Sequence, residues 1–182
     1  MTNIHINSDV QTKSIGEGTI IWQFVVILPG SVIGENCNIN SHCFIENDVI
    51  IGNSVTVKCG VFIWDGTRIE DEVFIGPGVT FINNNYPRSK KYPEKHIGAY
   101  IEKGASIGAN STIMGGIRIG RYAMIGAGSV VTKNVPNNSL WIGNPARQAG
   151  FVCNCGYKLD DALYCKECKS DYHFVNNILS RQ

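Results

Sequence analysis

The chain is predicted to be all-β, folded as a parallel β-helix wound from six-residue units. Three observations carry that reading. First, a large apolar residue returns at every sixth position: residues 15, 21, 27, 33, 39, 45, 51, 57, 63, 69, 75 and 81 are ten Ile, one Val and one Phe. After a break the beat resumes at 101, 107, 113, 119, 125 and 131, with five Ile and one Val. Second, the fifth residue of each unit is small or β-branched, from Thr19, Val25, Ser31, Cys37 and Cys43 onward to Val135. Third, glycine recurs at the second position, as Gly16, Gly34, Gly52, Gly76, Gly108, Gly120 and Gly126. A period of six is neither the 3.6 of an amphipathic helix nor the two of a half-buried strand. It is the rhythm of a hexapeptide solenoid.

Each feature has a place in a triangular prism. Position one fills the interior, position five faces inward where space is tight, and position-two glycine suits a corner without room for a Cβ. Three units close one coil, so eighteen units predict six coils. At a strand spacing of about 4.8 Å the stack is roughly 29 Å tall. Cys37 and Cys43 then read as small core residues, and Cys59, at outward position three, carries no role. Residues 1–150 are expected to form the β-helix domain, opening on a short leader, with an excursion loop at 83–100. Residues 151–182 form a separate tail.

Composition narrows the function. Sixteen basic against 15 acidic residues leave a net charge of +1, so no basic field points to nucleic acid or an anionic membrane. No apolar run reaches the roughly 18 residues of a membrane span. Residues 1–7 have neither the charged nor the apolar region of a signal peptide. Seven cysteines, four of them with metal-type spacing, fit a reducing cytoplasm better than a disulfide scaffold.

The beat fails once. From Phe81 to Ile101 is 20 residues, three units plus two, so the intervening segment leaves the prism. It holds Pro87, Pro93, Tyr86, Tyr92 and four Lys/Arg between 88 and 95. Such an insertion in a chain of short corners is expected to carry function. Asn83, Asn84 and Asn85 suit left-handed turns and offer amide donors and acceptors.

Eighteen units kept in phase resemble the hexapeptide-repeat acyltransferases. The resemblance implies a left-handed helix and a homotrimer; general chirality rules alone favour the opposite hand. It spans about residues 9–150. Trp64-Asp65-Gly66, Ile75-Gly76-Pro77-Gly78-Val79-Thr80-Phe81, Tyr86-Pro87-Arg88-Ser89-Lys90 and Lys103-Gly104-Ala105-Ser106-Ile107-Gly108-Ala109-Asn110 further resemble the sugar N-acyltransferases of bacterial surface-glycan pathways. Those enzymes use acetyl-CoA to acylate the 3-amino group of a dTDP- or UDP-linked sugar. The resemblance implies an active-site asparagine at Asn83 and a nucleotide-linked amino sugar as partner. Many relatives have Thr-Asn-Asp where this chain has Ile82-Asn83-Asn84, so an acid is missing. It also implies that CoA runs along the last coils, against the backbone of Gly126, Ala127 and Gly128. Lys133 and Arg147 are the natural partners of its phosphates.

The residues support amine chemistry. An amine beside electron-withdrawing carbons titrates near an α-amino group, about 7.7–8.0. Roughly a tenth is neutral at pH 7, which costs about 1.4 kcal/mol. Placement and oxyanion stabilisation then outweigh a strong base, whereas a hydroxyl acceptor requires a well-placed histidine. His5 lies in the leader and His173 in the tail. His42, at a corner or on an outer face, and His96, ending the excursion, are each a substrate contact or a satisfied surface imidazole. Asn83, His42 and Asp65 form the expected catalytic set. Glu46, Asn84, Tyr86, Arg88 and His96 are expected to contact substrate. Trp64 either stacks on it or simply covers a corner.

In the tail, Cys153-Asn154-Cys155 and Cys165-Lys166-Glu167-Cys168 read as two thiolate knuckles closing one tetrahedral site, although the first is C-x-C. Four thiolates suit structural zinc, with no open coordination position. About thirty residues build little core, so a metal is the expected staple; free thiols are the alternative. The leading reading is an acetyl-CoA-dependent sugar N-acetyltransferase. A sugar O-acetyltransferase and a non-catalytic scaffold compete with it. A carbonic-anhydrase-type site needs three convergent histidines, and the prism offers only His42 and His96.

Overall fold

The computed structural model describes residues 1–176 and 178–182. Two-residue strands stack into three parallel walls around one core. The first wall stacks eight parallel strands, from Asn3–Ile4 through Met124–Ile125 to Ser139–Gly143, and ends on antiparallel Ala146–Phe151. The second has seven strands, from Asp9–Val10 to Val130–Val131; the third has five, from Val32–Ile33 to Arg118–Ile119. Ile21 stands over Ile39, and Ile45 over Ile63. Each coil donates to the next, as in Ile20 N–H to Cys37 O (2.8 Å) and Trp22 N–H to Ile39 O (3.0 Å).

The six-residue code explains the packing. Successive strand residues point to opposite faces, so position six looks outward and position one inward. Ile27, Ile39, Ile45, Ile63, Ile75, Ile107 and Ile113 are all 0% exposed, as are Val25, Val55 and Val61 at position five. Hydroxyls admitted at position five are satisfied by neighbouring coils: Thr19 Oγ1 donates to Gly34 O at 2.8 Å and Ser111 Oγ to Gly126 O at 3.1 Å. Cys37 and Cys43 are core residues, and burial pushes the Cys43 thiol up to about 11.

Two expectations need correction. The prism has about eight turns rather than six, since the first wall already begins at Asn3 and runs on to Gly143. The end coils escape the six-residue beat because they pair off-phase: Ile4 meets Ile21, Val10 meets Ile27, and Ile125 meets Trp141. Seven steps of about 4.8 Å make the stack about 34 Å tall. The second correction concerns the corner residue, which is position four and not position two. Position four takes a positive φ, as at Gly18 (74°), Gly60 (72°) and Asn36 (55°), and at His42 (61°) without a short polar side chain to help. Position-two glycine answers another demand, the close approach of the next coil. A methyl on Gly34 would sit 2.6 Å from the Gly52 carbonyl carbon, and one on Gly108 2.5 Å from Ala127 N.

The tail is a three-stranded antiparallel sheet of Tyr164–Cys165, Ser170–Val175 and Ile178–Arg181. Its buried cluster is Cys153, Leu159, Cys165, Tyr172 and Leu179. Among the described residues no helix is long and apolar enough to cross a membrane.

Candidate active site

The excursion leaves after Thr80–Phe81 and returns before Tyr100–Ile101, at the corner between the second and third walls. Its base is tied down. Ile97 N–H donates to Asn83 O at 3.1 Å. The Asn85 amide exchanges two hydrogen bonds with the Gly115 backbone, both 3.2 Å. Gly66 and Gly98 pack backbone on backbone, and a methyl on Gly98 would lie 2.2 Å from the Gly66 carbonyl carbon. The tip stands free of this neck, with Tyr86 and Tyr92 90% and 86% exposed. Arg88 is exposed too, its Nη1 bonded only to the neighbouring Pro87 carbonyl among its hydrogen bonds described. Asn84 serves the turn itself, its Oδ1 accepting from Tyr86 N–H at 3.0 Å.

Asp65, Glu46, Trp64 and Asn83 gather at that same corner. Asp65 N–H donates to Glu46 Oε2 and Asp48 N–H to Asp65 Oδ1, each at 2.7 Å. Asn83 Nδ2 reaches the Asp65 carbonyl at 3.4 Å. The carboxylates therefore brace the turn as well as facing the excursion. His96 joins where the chain returns: the residue is half-buried, and its Nδ1 is buried without a hydrogen-bond partner.

His42 is not part of this cluster. It lies at the other edge of the second wall, at the corner coming from the first, stacked on Phe24 with centroids 5.1 Å apart. Between the two edges an apolar groove of about 430 Å³ crosses the wall, lined by Phe24, Val26, His42, Phe44, Phe62 and Trp64. Trp64 packs on Phe44 and Phe62 at 5.5 and 6.0 Å. Sequence reasoning missed this aromatic ladder. The signal was present: position six read once per coil places Phe44 directly against Phe62.

A second groove, about 390 Å³, runs along the first wall beside Phe74, Ser106, Gly108, Met124, Gly126 and Ala127. Gly126 and Ala127 were expected there; Phe74, Gly108 and Met124 were not. Gly128 follows at an open corner, with φ 69° and nothing near its missing Cβ. Ile142 covers Gly126, with its Cγ1 3.1 Å from where a methyl on that glycine would stand. Arg147 pairs directly opposite Ile142, which places it at the groove's end. Lys133 does not belong to this set. It is exposed beyond Val130–Val131, at the corner between the second and third walls that also carries the excursion.

The tail brings its four predicted cysteines together. The Sγ atoms of Cys153, Cys155, Cys165 and Cys168 all lie within 4.8 Å of one another, with Cys153–Cys168 at 3.3 Å and Cys155–Cys165 at 3.6 Å. None is disulfide-bonded. The Ser170 hydroxyl and then the Cys153 thiol draw the Cys168 thiol down to about 6. Four convergent sulfurs are a donor set that fits a tetrahedral thiophilic ion.

A three-walled β-helix with a corner arm and a glycine-lined groove on its last coils defines a hexapeptide-repeat transferase. The family model described as "Bacterial transferase hexapeptide (six repeats)" matches residues 12–47 and 98–133. The chain is 55% identical over 181 residues, 98% of its length and 94% of the relative's, to the dTDP-3-amino-3,6-dideoxy-alpha-D-galactopyranose 3-N-acetyltransferase of Aneurinibacillus thermoaerophilus. The galactoside O-acetyltransferase of Lactococcus lactis is 33% identical over 72% of this chain and 68% of its own. A solved hexapeptide-repeat-containing acetyltransferase of Vibrio cholerae, complexed with acetyl coenzyme A, aligns with a TM-score of 0.56 at 25% identity, covering 79% of this chain and 73% of that one. The chain belongs to the hexapeptide-repeat acetyltransferases.

Proposed function

We propose that the protein transfers the acetyl group of acetyl-CoA to the 3-amino group of a dTDP-linked 3-amino-3,6-dideoxyhexose. The observation that carries this reading is the 55% identity over 98% of the chain to an enzyme of that name. Acetyl-CoA lies along the first-wall groove, its pantetheine against the small residues Gly126, Ala127 and Gly128, with Arg147 at the phosphate end. The acceptor sits at the excursion corner, where Asp65 and Glu46 attract its amine and Asn83 fixes its orientation. Trp64 offers the sugar or base an aromatic face; Asn84, Tyr86, Arg88 and His96 contact the rest. The neutral amine attacks the thioester carbonyl carbon, forming C–N and moving the π pair onto oxygen. The oxyanion collapses, C–S breaks, and CoA leaves as a thiolate. With a thiol pKa near 8.5, the thiolate can itself take the proton lost by nitrogen. No strong base is required.

The donor groove and acceptor corner lie on different edges of one prism, and His42 is separated from Asn83 by the full second wall. Two prisms side by side bring such edges together, and a closed ring of three gives every copy the same neighbours. Trp22, Phe24 and Phe62, 43–52% exposed, are the apolar surface such packing covers. Lys133, at the excursion corner, then reaches CoA phosphates on a neighbour. The segment beyond residue 150 is a separate unit held by structural zinc on its four thiolates, which supplies no open position for catalysis. The use of acetyl-CoA and the absence of disulfides among the described cysteines support a cytoplasmic enzyme.

Thiol release from acetyl-CoA tests the reading, using paired dTDP-sugars that carry nitrogen or oxygen at C3. The amine should react and the alcohol should not. Equal acylation of the alcohol, abolished by replacing His42 and His96 together, would establish the O-acetyltransferase instead.

A further inference from the structure

The four-thiol knuckle and the first-wall groove are neighbours. Gly156 follows Cys155 and faces the prism: a methyl placed on it would lie 3.9 Å from Met124 Cε. Met124 lines the groove with Gly108, Gly126 and Ala127. A chain of hydrogen bonds ties the knuckle to the prism independently. The Tyr172 hydroxyl donates to Cys153 Sγ at 3.2 Å and accepts from Asn154 N–H at 2.8 Å. Asn154 Oδ1 accepts from Asn138 Nδ2 at 2.7 Å. Asn138, 6% exposed, also takes Val152 N–H on its carbonyl at 2.7 Å and donates its own N–H to Arg121 O at 2.9 Å. From Asn138 the chain runs directly into Ser139–Gly143, the strand paired with Met124–Ile125. One metal-site sulfur is thus three hydrogen bonds from the last turn of the prism.

We propose that metal binding by Cys153, Cys155, Cys165 and Cys168 positions the C-terminal wall of the groove and so sets affinity for the acyl-coenzyme A donor. This rests on the donor and zinc assignments made under Proposed function. The ion touches neither substrate, because four thiolates fill a tetrahedral zinc. It acts through the Asn138 link and the placement of Gly156 beside Met124. The tail's small buried cluster leaves the 153–156 turn dependent on the ion for its place. Without metal the turn withdraws from Met124, and the donor must itself order the wall it binds. Coupling of two binding events is reciprocal, so the donor must tighten the hold on the metal by the same factor.

That reciprocity can be read on the intact protein. The zinc-loaded full chain is titrated with a chromophoric chelator, with and without saturating desulfo-CoA, which has no thiol to compete for the ion. Desulfo-CoA should raise the chelator midpoint about tenfold, and its own Kd by calorimetry should rise by the same factor when zinc is stripped. If calorimetry shows binding to the loaded protein yet the midpoint stays fixed, the coupling is refuted and the donor assignment stands. If desulfo-CoA does not bind loaded protein at all, the donor assignment fails and takes the inference with it. Asn154→Ala separates coupling from metal loss, since it keeps every thiol. It should retain zinc while weakening desulfo-CoA; unchanged affinity would overturn the proposed link.

Discussion

Prism and tail close their cores by opposite means. In the prism one continuous cluster runs from Ile21 to Ala146, built of Ile and Val stacked coil on coil. In the tail, the described buried cluster has five members, two of them cysteines. Fully burying a side chain of Ile or Val size is worth about 1.5–3 kcal/mol, so stability in the prism is spread over many coils, each leaning on its neighbours. In the tail the proposed metal would concentrate it at the four thiols. The prism should lose stability by increments; the tail should lose it all at once.

The sharpest way to break this comparison is to remove the zinc proposed for the four thiols. Structural zinc contributes on the order of 10 kcal/mol or more to small domains. A chelator strong enough to win it should abolish hydrogen-exchange protection across 151–182 and leave the amides of the stacked coils protected. Loss of protection throughout the prism would mean the tail is its necessary cap, and the two regions would have to be treated as one unit.

Inside the prism the expected effects are smaller. Ile75, 0% exposed in a middle coil, should cost about 2–5 kcal/mol as Ile75→Ala, read from the urea midpoint at unchanged slope. The same change at Ile4, 45% exposed in the first coil, should cost much less. Equal losses would contradict the graded, neighbour-by-neighbour picture. The proposed activity is placed in the prism as well. Asn83→Ala should lower kcat/KM about a hundredfold, or roughly 2.7 kcal/mol, with zinc content and melting unchanged. A variant of full activity would remove Asn83 from the chemistry.

The two regions also differ in how far they were legible. Position one and position five could be read residue by residue because a buried side chain must match its neighbours above and below. Ile45 over Ile63 leaves little choice of residue type. The end coils were hidden because Ile4 and Trp141 pair off-phase, and a periodic search finds only what stays periodic. Position four was hidden because its requirement is a backbone angle, met by Gly18, Asn36 and even His42 alike. At the site, Asp65, Glu46, Trp64 and Asn83 come together because they flank one corner. His42 lies apart from them within one protomer, since distance around a prism depends on which of three edges a residue occupies. Lys133 and Arg147 fall on different edges for the same reason. The four cysteines were legible because their spacing is itself the chemistry.

The smallest effect lies on the third wall, where charge rather than burial is at stake. Burial pushes the Glu70 carboxyl upward, but hydrogen bonds from Lys103 N–H and the Tyr100 hydroxyl, with Arg121 and Arg118 nearby, outweigh it and hold the pKa below its ordinary value. The Tyr100 and Lys103 contacts are 2.8 and 2.9 Å, while Arg121 stands at 3.9 Å. A carboxylate held low in the folded state stabilises above its unfolded pKa, about 4.3, and loses that contribution as pH falls through the folded value. Partly exposed groups of this kind are worth about 0.2–1 kcal/mol. Glu70→Gln should therefore cost that much at pH 7, and the gap from the parent protein should close below about pH 4. A gap in urea midpoint that stays constant down to pH 3 would show that Glu70 acts through shape alone, leaving apolar stacking as the source of prism stability on this wall too.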